Sequence, residues 1–70
     1  MPETVYRVTE LVGTSTESWE KAAQSAVETA SHSLRGLRVA EVVKLDMTIE
    51  DGKVARFRAR LNLSFKYEPE

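Results

Sequence analysis

Seventy residues allow one small domain, and a composition 41% hydrophobic and 30% charged is that of a folded chain, not a disordered one. Ten Lys and Arg against eleven Asp and Glu leave a net charge of −1, without the basic excess of a duplex-DNA binder. The chain has no Cys and one His, which excludes a disulfide scaffold, a thiolate metal centre, thiol catalysis and a multi-His metal site within one chain.

The first expected element is a strand from Val5 to Val12, rich in β-branched residues and stopped by Gly13. Thr14, Ser15 and Thr16 are N-cap types, Thr14 and Glu17 have capping-box spacing, and a helix is predicted from Thr16 to Arg35. Trp19, Ala22, Ala23, Ala26, Val27, Ala30 and Leu34 recur every three or four residues and form its apolar stripe. Gly36 is placed to stop the helix, with Arg35 favourable at the negative end of its dipole. Leu37 to Ile49 is predicted as a second strand, and Glu50-Asp51-Gly52-Lys53 as a hairpin with a two-residue turn. Val54 to Tyr67 is the third strand. Its Ala55, Phe57, Ala59, Leu61, Leu63, Phe65 and Tyr67 alternate with Arg56, Arg58, Arg60, Asn62, Ser64 and Lys66.

The expected fold class is α+β: a single domain over residues 1–70, in β-α-β-β order, with one helix packed on a three-stranded antiparallel sheet whose middle strand is the third. A two-residue turn sets Glu50 against Lys53 and, carried unbroken, fixes the two faces. Ala40 and Val42 then join Phe57, Ala59, Leu61, Leu63 and Phe65 beneath the helix. Val39, Glu41, Val43, Leu45 and Met47 lie opposite Ser64, Asn62, Arg60, Arg58 and Arg56 on the other face. Half apolar and half cationic, that second face is expected to be an assembly or ligand surface. The competing reading is that the Arg side chains lie over the apolar row and shield it. A domain of this size without disulfides or metals favours oligomerisation.

Trp19 reads as core or interface packing. His32, near the helix end, has no nucleophile or carboxylate dyad beside it in the pattern, so no enzyme is expected. The Arg56-Arg58-Arg60 row suits an anion or RNA, but pairing with carboxylates such as Glu10 or Glu41 is the commoner use, and no nucleic-acid partner is expected. The Gly13-Thr14-Ser15 turn is a weak anion seat without the pattern of a P-loop. Asp46, Glu50 and Asp51 form a loose acidic group that does not match an EF-hand. No apolar run is long enough to cross a membrane and no signal-peptide-like segment opens the chain, so no membrane partner and a cytoplasmic protein are expected.

Together, Val8-x-x-Leu11-Val12-Gly13-Thr14-Ser15, the Ala-rich helix, Val39-Ala40-Glu41-Val42, the hairpin and Leu61-x-Leu63-Ser64-Phe65 resemble the dodecins over nearly the whole chain. The resemblance implies a hollow homododecamer that binds flavin (FMN or riboflavin) without turning it over, in storage, buffering or photoprotection. It also exposes departures. Dodecins typically carry a Trp where this chain has Val39, and a Gln that meets the flavin ring where it has Arg58. Some members carry a basic residue, suited to a flavin phosphate, where this chain has Asp46; Lys66 stands at another position that is often basic. The flavin-type surface would be Val39, Glu41, Val43, Leu45, Arg58 and Lys66, with flavin affinity weak or absent. A Trp-less, calcium-associated subgroup is the nearer match, for which Asp46 and Glu50 are the candidate cation ligands, and a purely structural shell is the further alternative.

Overall fold

The computed structural model describes residues 3–67; residues 1–2 and 68–70 of the expected domain lie outside the described residues. Strand β1 (Tyr6–Ser15), helix α1 (Trp19–Ala30) and strands β2 (Leu37–Glu50) and β3 (Lys53–Lys66) follow in the predicted order. They form one sheet, ordered β1-β3-β2, in which both pairings are antiparallel. Asp51 at φ 52° and Gly52 at φ 74° place both turn residues in the left-handed region. A two-residue turn with that geometry matches the right-handed twist of the strands it joins.

The helix is shorter than its apolar stripe suggested. Its N-cap is Ser18, whose hydroxyl accepts from the Lys21 N–H at 3.0 Å. Thr14 cannot cap anything, because it is still in β1, paired with Arg58. At the other end Ser31 caps the helix, and the chain leaves through tight turns in which Leu34 N–H donates to the Ala30 carbonyl at 2.9 Å. Leu34 still packs on the core from outside the helix. Gly36 therefore does not end the helix. At φ 73° it turns the chain into β2, and its carbonyl accepts from Lys66 N–H at 3.1 Å.

Gly13 does not break β1 either. It lies inside the strand opposite Ala59, where the helix backbone rests against the sheet. A Cβ on Gly13 would collide with the Ala22 carbonyl oxygen and crowd the Ala26 methyl at 3.0 Å. Ala22 and Ala59 are fully buried. These small residues let the helix backbone settle almost directly on the strands.

The core that results is small: among the described residues, Ala22, Ala26, Ala30, Ala59, Leu61 and Leu63 are the buried hydrophobic ones. Length explains why. A 12-residue helix spans about 18 Å, whereas a 14-residue strand reaches roughly 46 Å. The helix also sits over β1 and β3 and barely touches β2. The chain measures 55 × 21 × 16 Å, with a radius of gyration of 14.5 Å against about 11 Å for a compact chain of this length.

The unbroken hairpin register is where expectation and structure part. Glu50 pairs with Lys53 and Ile49 with Val54, as expected. The register then shifts by one, so that Thr48, Asp46 and Lys44 pair with Arg56, Arg58 and Arg60, while Met47 and Leu45 pair with Phe57 and Ala59. It shifts back at Val43, after which Val42, Glu41, Ala40 and Val39 pair with Leu61, Asn62, Leu63 and Ser64. Each bulge adds an unpaired residue and moves the side chains beyond it to the other face. The gain is plain: Leu45 and Met47 join the apolar face of β3, and a carboxylate meets the arginine row.

Candidate functional site

Directly paired residues in an antiparallel sheet share a face. The face away from the helix is therefore a set of cross-strand rows, each running β1-β3-β2. They are Thr14-Arg58-Asp46, Val12-Arg60-Lys44, Glu10-Asn62-Glu41 and Val8-Ser64-Val39, with Arg56-Thr48 beyond one end and Tyr6-Lys66 beyond the other. Of the residues expected to form a flavin-type surface, Val39, Glu41, Arg58 and Lys66 lie on this open face. Val43 is the unpaired bulge residue, and Leu45 lies on the helix side. Along β3, the Val39 row and Arg58 are separated by about 20 Å, so one chain does not gather them around one ring system.

The most ordered feature of the face is the pair Asp46–Arg58. Arg58 Nε donates to Oδ1 at 2.7 Å and Nη2 to Oδ2 at 2.9 Å, a two-pronged contact between half-exposed side chains. The arginine row thus finds its carboxylate in Asp46, not in Glu10 or Glu41. From the helix side, the Trp19 indole N–H donates to the Asp46 carbonyl at 2.9 Å, and its ring meets Phe57 edge-on with centroids 5.0 Å apart. Asp46 is therefore held by its backbone from one side of the sheet and by its side chain from the other. The apolar stripe marks Trp19 for packing alone; the signal for a further role is that a half-buried indole N–H needs an acceptor.

The Arg58 hydrogen bond, aided by the charges of Arg58, Arg60 and Lys44 and opposed by partial desolvation, holds the Asp46 carboxyl below its usual range. The same bond raises Arg58. A carboxylate whose pKa is lower folded than unfolded adds stability that is present above the unfolded value and lost as pH falls through the folded one. The pair is expected to persist through neutral and mildly acidic pH and to fail only in strong acid. A double-mutant cycle of Asp46→Asn and Arg58→Gln, followed by thermal denaturation, should show coupling that is constant above the ordinary carboxylate range and disappears below it.

These residues do not fit a stacked flavin in one chain. Val39 and its row offer no ring, Tyr6 is the aromatic residue on the described open face, and the single Trp lies on the helix side. Nor do they assemble a cation cage in one chain. Both Asp46 oxygens are taken by Arg58, and Glu50 is about 13 Å further along β2, opposite Lys53. Among the described residues no three His, Asp or Glu side chains are grouped to hold a metal ion.

The chain matches the family model described as Dodecin over residues 5–68. It is 42% identical over 65 residues to the calcium dodecin of Mycobacterium tuberculosis, covering 93% of this chain and 92% of that protein. It is 39% identical over 64 residues to the dodecin of Thermus thermophilus, covering 91% and 93%. The dodecin structure from Streptomyces coelicolor superposes with a TM-score of 0.93 at 43% identity over 100% of both chains. A crystal structure of calcium dodecin from Mycobacterium tuberculosis, described as a calcium-chelating antigen with a novel calcium-binding site, superposes with a TM-score of 0.82 at 43% identity over 94% of each chain.

Proposed function

The chain belongs to the dodecin family, and from that membership we propose that it is a non-enzymatic shell protein, a homododecamer that holds a small ligand without transforming it. The observation that carries this reading is the uncovered strip on the helix side of β2. Val42, Leu45 and Met47 are 49%, 50% and 39% exposed there, beyond the reach of a helix seated on β1 and β3. Burying one such side chain fully contributes roughly 1.5–3 kcal/mol, and a chain with six buried hydrophobic residues among those described needs that contribution from neighbours. Flavin is the ligand of the family at large, but Val39 and the Arg58–Asp46 pair make its affinity here weak or absent. The second reading is a calcium-binding or purely structural shell. It is favoured by the calcium dodecin at 42% identity, and a calcium site would have to draw donors from more than one chain.

Native mass spectrometry tests both. Twelve chains of 7.9 kDa should give a species of roughly 95 kDa, and Leu45→Lys should convert most of it to small species by placing a charge in the contact. A monomer or dimer of the unaltered protein would overturn the shell. Full flavin occupancy in the purified protein would overturn the weak-flavin reading. Calcium retained by the assembly and lost with Asp46→Ala would favour the calcium reading, whereas indifference to calcium and to chelator would count against it.

A further inference from the structure

The register shift between Ile49 and Thr48, closed again by the Val43 bulge, sets Lys44 directly opposite Arg60. In an antiparallel ladder such side chains start about 4.5–5.5 Å apart, and like charges there repel. Arg58 and Arg56 continue on the same face at steps of about 7 Å along β3. One carboxylate stands among these four cations. Asp46 engages Arg58 through Nε and Nη2, leaving its Nη1 without a protein partner among the described residues. Glu10 and Glu41 lie one row away, yet the Arg58–Asp46 pair is the salt bridge the described residues make. Lys44 and Arg60 are exposed, and the charge of each reaches Asp46 strongly enough to help lower its pKa.

We propose that Lys44, Arg60 and the outer edge of Arg58 form a seat for a small phosphate-class dianion, either inorganic phosphate or the phosphate of a small monoester. Guanidinium groups present paired donors to two oxygens, and the ammonium supplies a point charge for a third. The dianion relieves the Lys44–Arg60 repulsion that the shifted register builds in. The acidic Glu10-Asn62-Glu41 row borders the seat on one side and repels an extended polyanion, which restricts the ligand to a small one. The seat lies within one chain, so it stands apart from the twelve-chain reading.

Calorimetric titration of the intact protein with inorganic phosphate, at neutral pH and constant ionic strength set by sodium chloride, tests it. Saturable binding is expected, and Lys44→Gln and Arg60→Gln should each weaken it about tenfold or more. Arg35→Gln, outside the open face, should leave it unchanged. Asp46→Asn should tighten it several-fold by removing a negative charge and releasing Arg58. Glycerol 3-phosphate in a parallel titration separates the two sources: equal affinity means that the seat reads any phosphate head, and loss means inorganic phosphate alone. A second readout is independent of ligand affinity. In phosphate-free buffer Lys44→Gln should melt at a higher temperature than the parent, because the repulsion is gone. Phosphate indistinguishable from chloride, or binding unchanged in the Lys44→Gln/Arg60→Gln double variant, would overturn the seat. Should the Gln variants fail to assemble, Lys44→Arg must retain binding, and its loss there would count equally against it.

Discussion

Replacing Gly13 with Ala should destabilise the protein by about 3 kcal/mol or more, the upper end of what overpacking usually costs. The sign is not obvious from the residue types. Gly13 is absent from the glycines at positive φ, which are Gly36 and Gly52, so Ala suits its backbone. Removing a glycine from the unfolded chain would by itself stabilise the fold by roughly 0.4–1 kcal/mol. Space decides the outcome. The new methyl points into the Ala22 carbonyl oxygen, which is helix backbone and cannot rotate away, and into the Ala26 methyl. Relief requires lifting α1 from β1 and β3. That opens the contact over Leu61 and Leu63 and draws the Trp19 N–H away from the Asp46 carbonyl. Gly52→Ala is the matched control. Nothing lies within 4 Å of its added Cβ, and its cost is the left-handed backbone alone, about 1–2 kcal/mol. Denaturation of both variants at one fixed protein concentration should rank Gly13→Ala well below Gly52→Ala. A Gly13 variant as stable as the parent would mean that the helix does not rest on the strand as described.

The elements and their order were legible because local chemistry writes them. β3 alternates without interruption from Ala55 to Lys66, and Asp51-Gly52 supplies the two left-handed residues that a tight hairpin demands. Antiparallel order with β3 in the middle follows from one helix connection and one hairpin. What stayed illegible depends on contacts between elements. The stripe from Trp19 to Leu34 continues past Ala30 because residues of the exit turns also pack on the core, and apolar spacing does not distinguish a last helical turn from a folded-back one. Gly13 reads as a strand breaker until its opposite number, Ala22, is known to lie on it. The bulges are the largest loss. Lys44, Leu45, Asp46, Met47 and Thr48 alternate perfectly well in either register, so the pattern alone does not reveal that Asp46 rather than Leu45 faces Arg58. Two residues singled out for different roles, Asp46 as a cation ligand and Arg58 as a flavin contact, are each other's partners.

That pairing changes what a flavin-restoring variant must contain, and here the second large effect is expected. In the family a Trp at the Val39 position and a Gln at the Arg58 position serve the flavin ring. Val39 and Arg58 share the open face, so Trp and Gln would be presented on the same side. Arg58→Gln alone, however, strips both hydrogen bonds from the Asp46 carboxylate and leaves a negative charge where the ligand would sit. The double variant Val39→Trp/Arg58→Gln should therefore gain little beyond the stacking ring. The triple variant, with Asp46→Asn added, removes the orphaned charge and should bind riboflavin most tightly. Stacking on an aromatic ring contributes about 1–3 kcal/mol per contact, which corresponds to roughly 5- to 150-fold in affinity. Titration of riboflavin fluorescence should rank the triple variant above the double, and the double above the parent. Because the two positions lie about 20 Å apart in one chain, the gain should appear only in assembled protein and vanish in the Leu45→Lys background. Equal gain in dissociated chains would mean that a single sheet face suffices. No gain in an intact triple-variant assembly would mean that Val39 and Arg58 do not line the ligand surface.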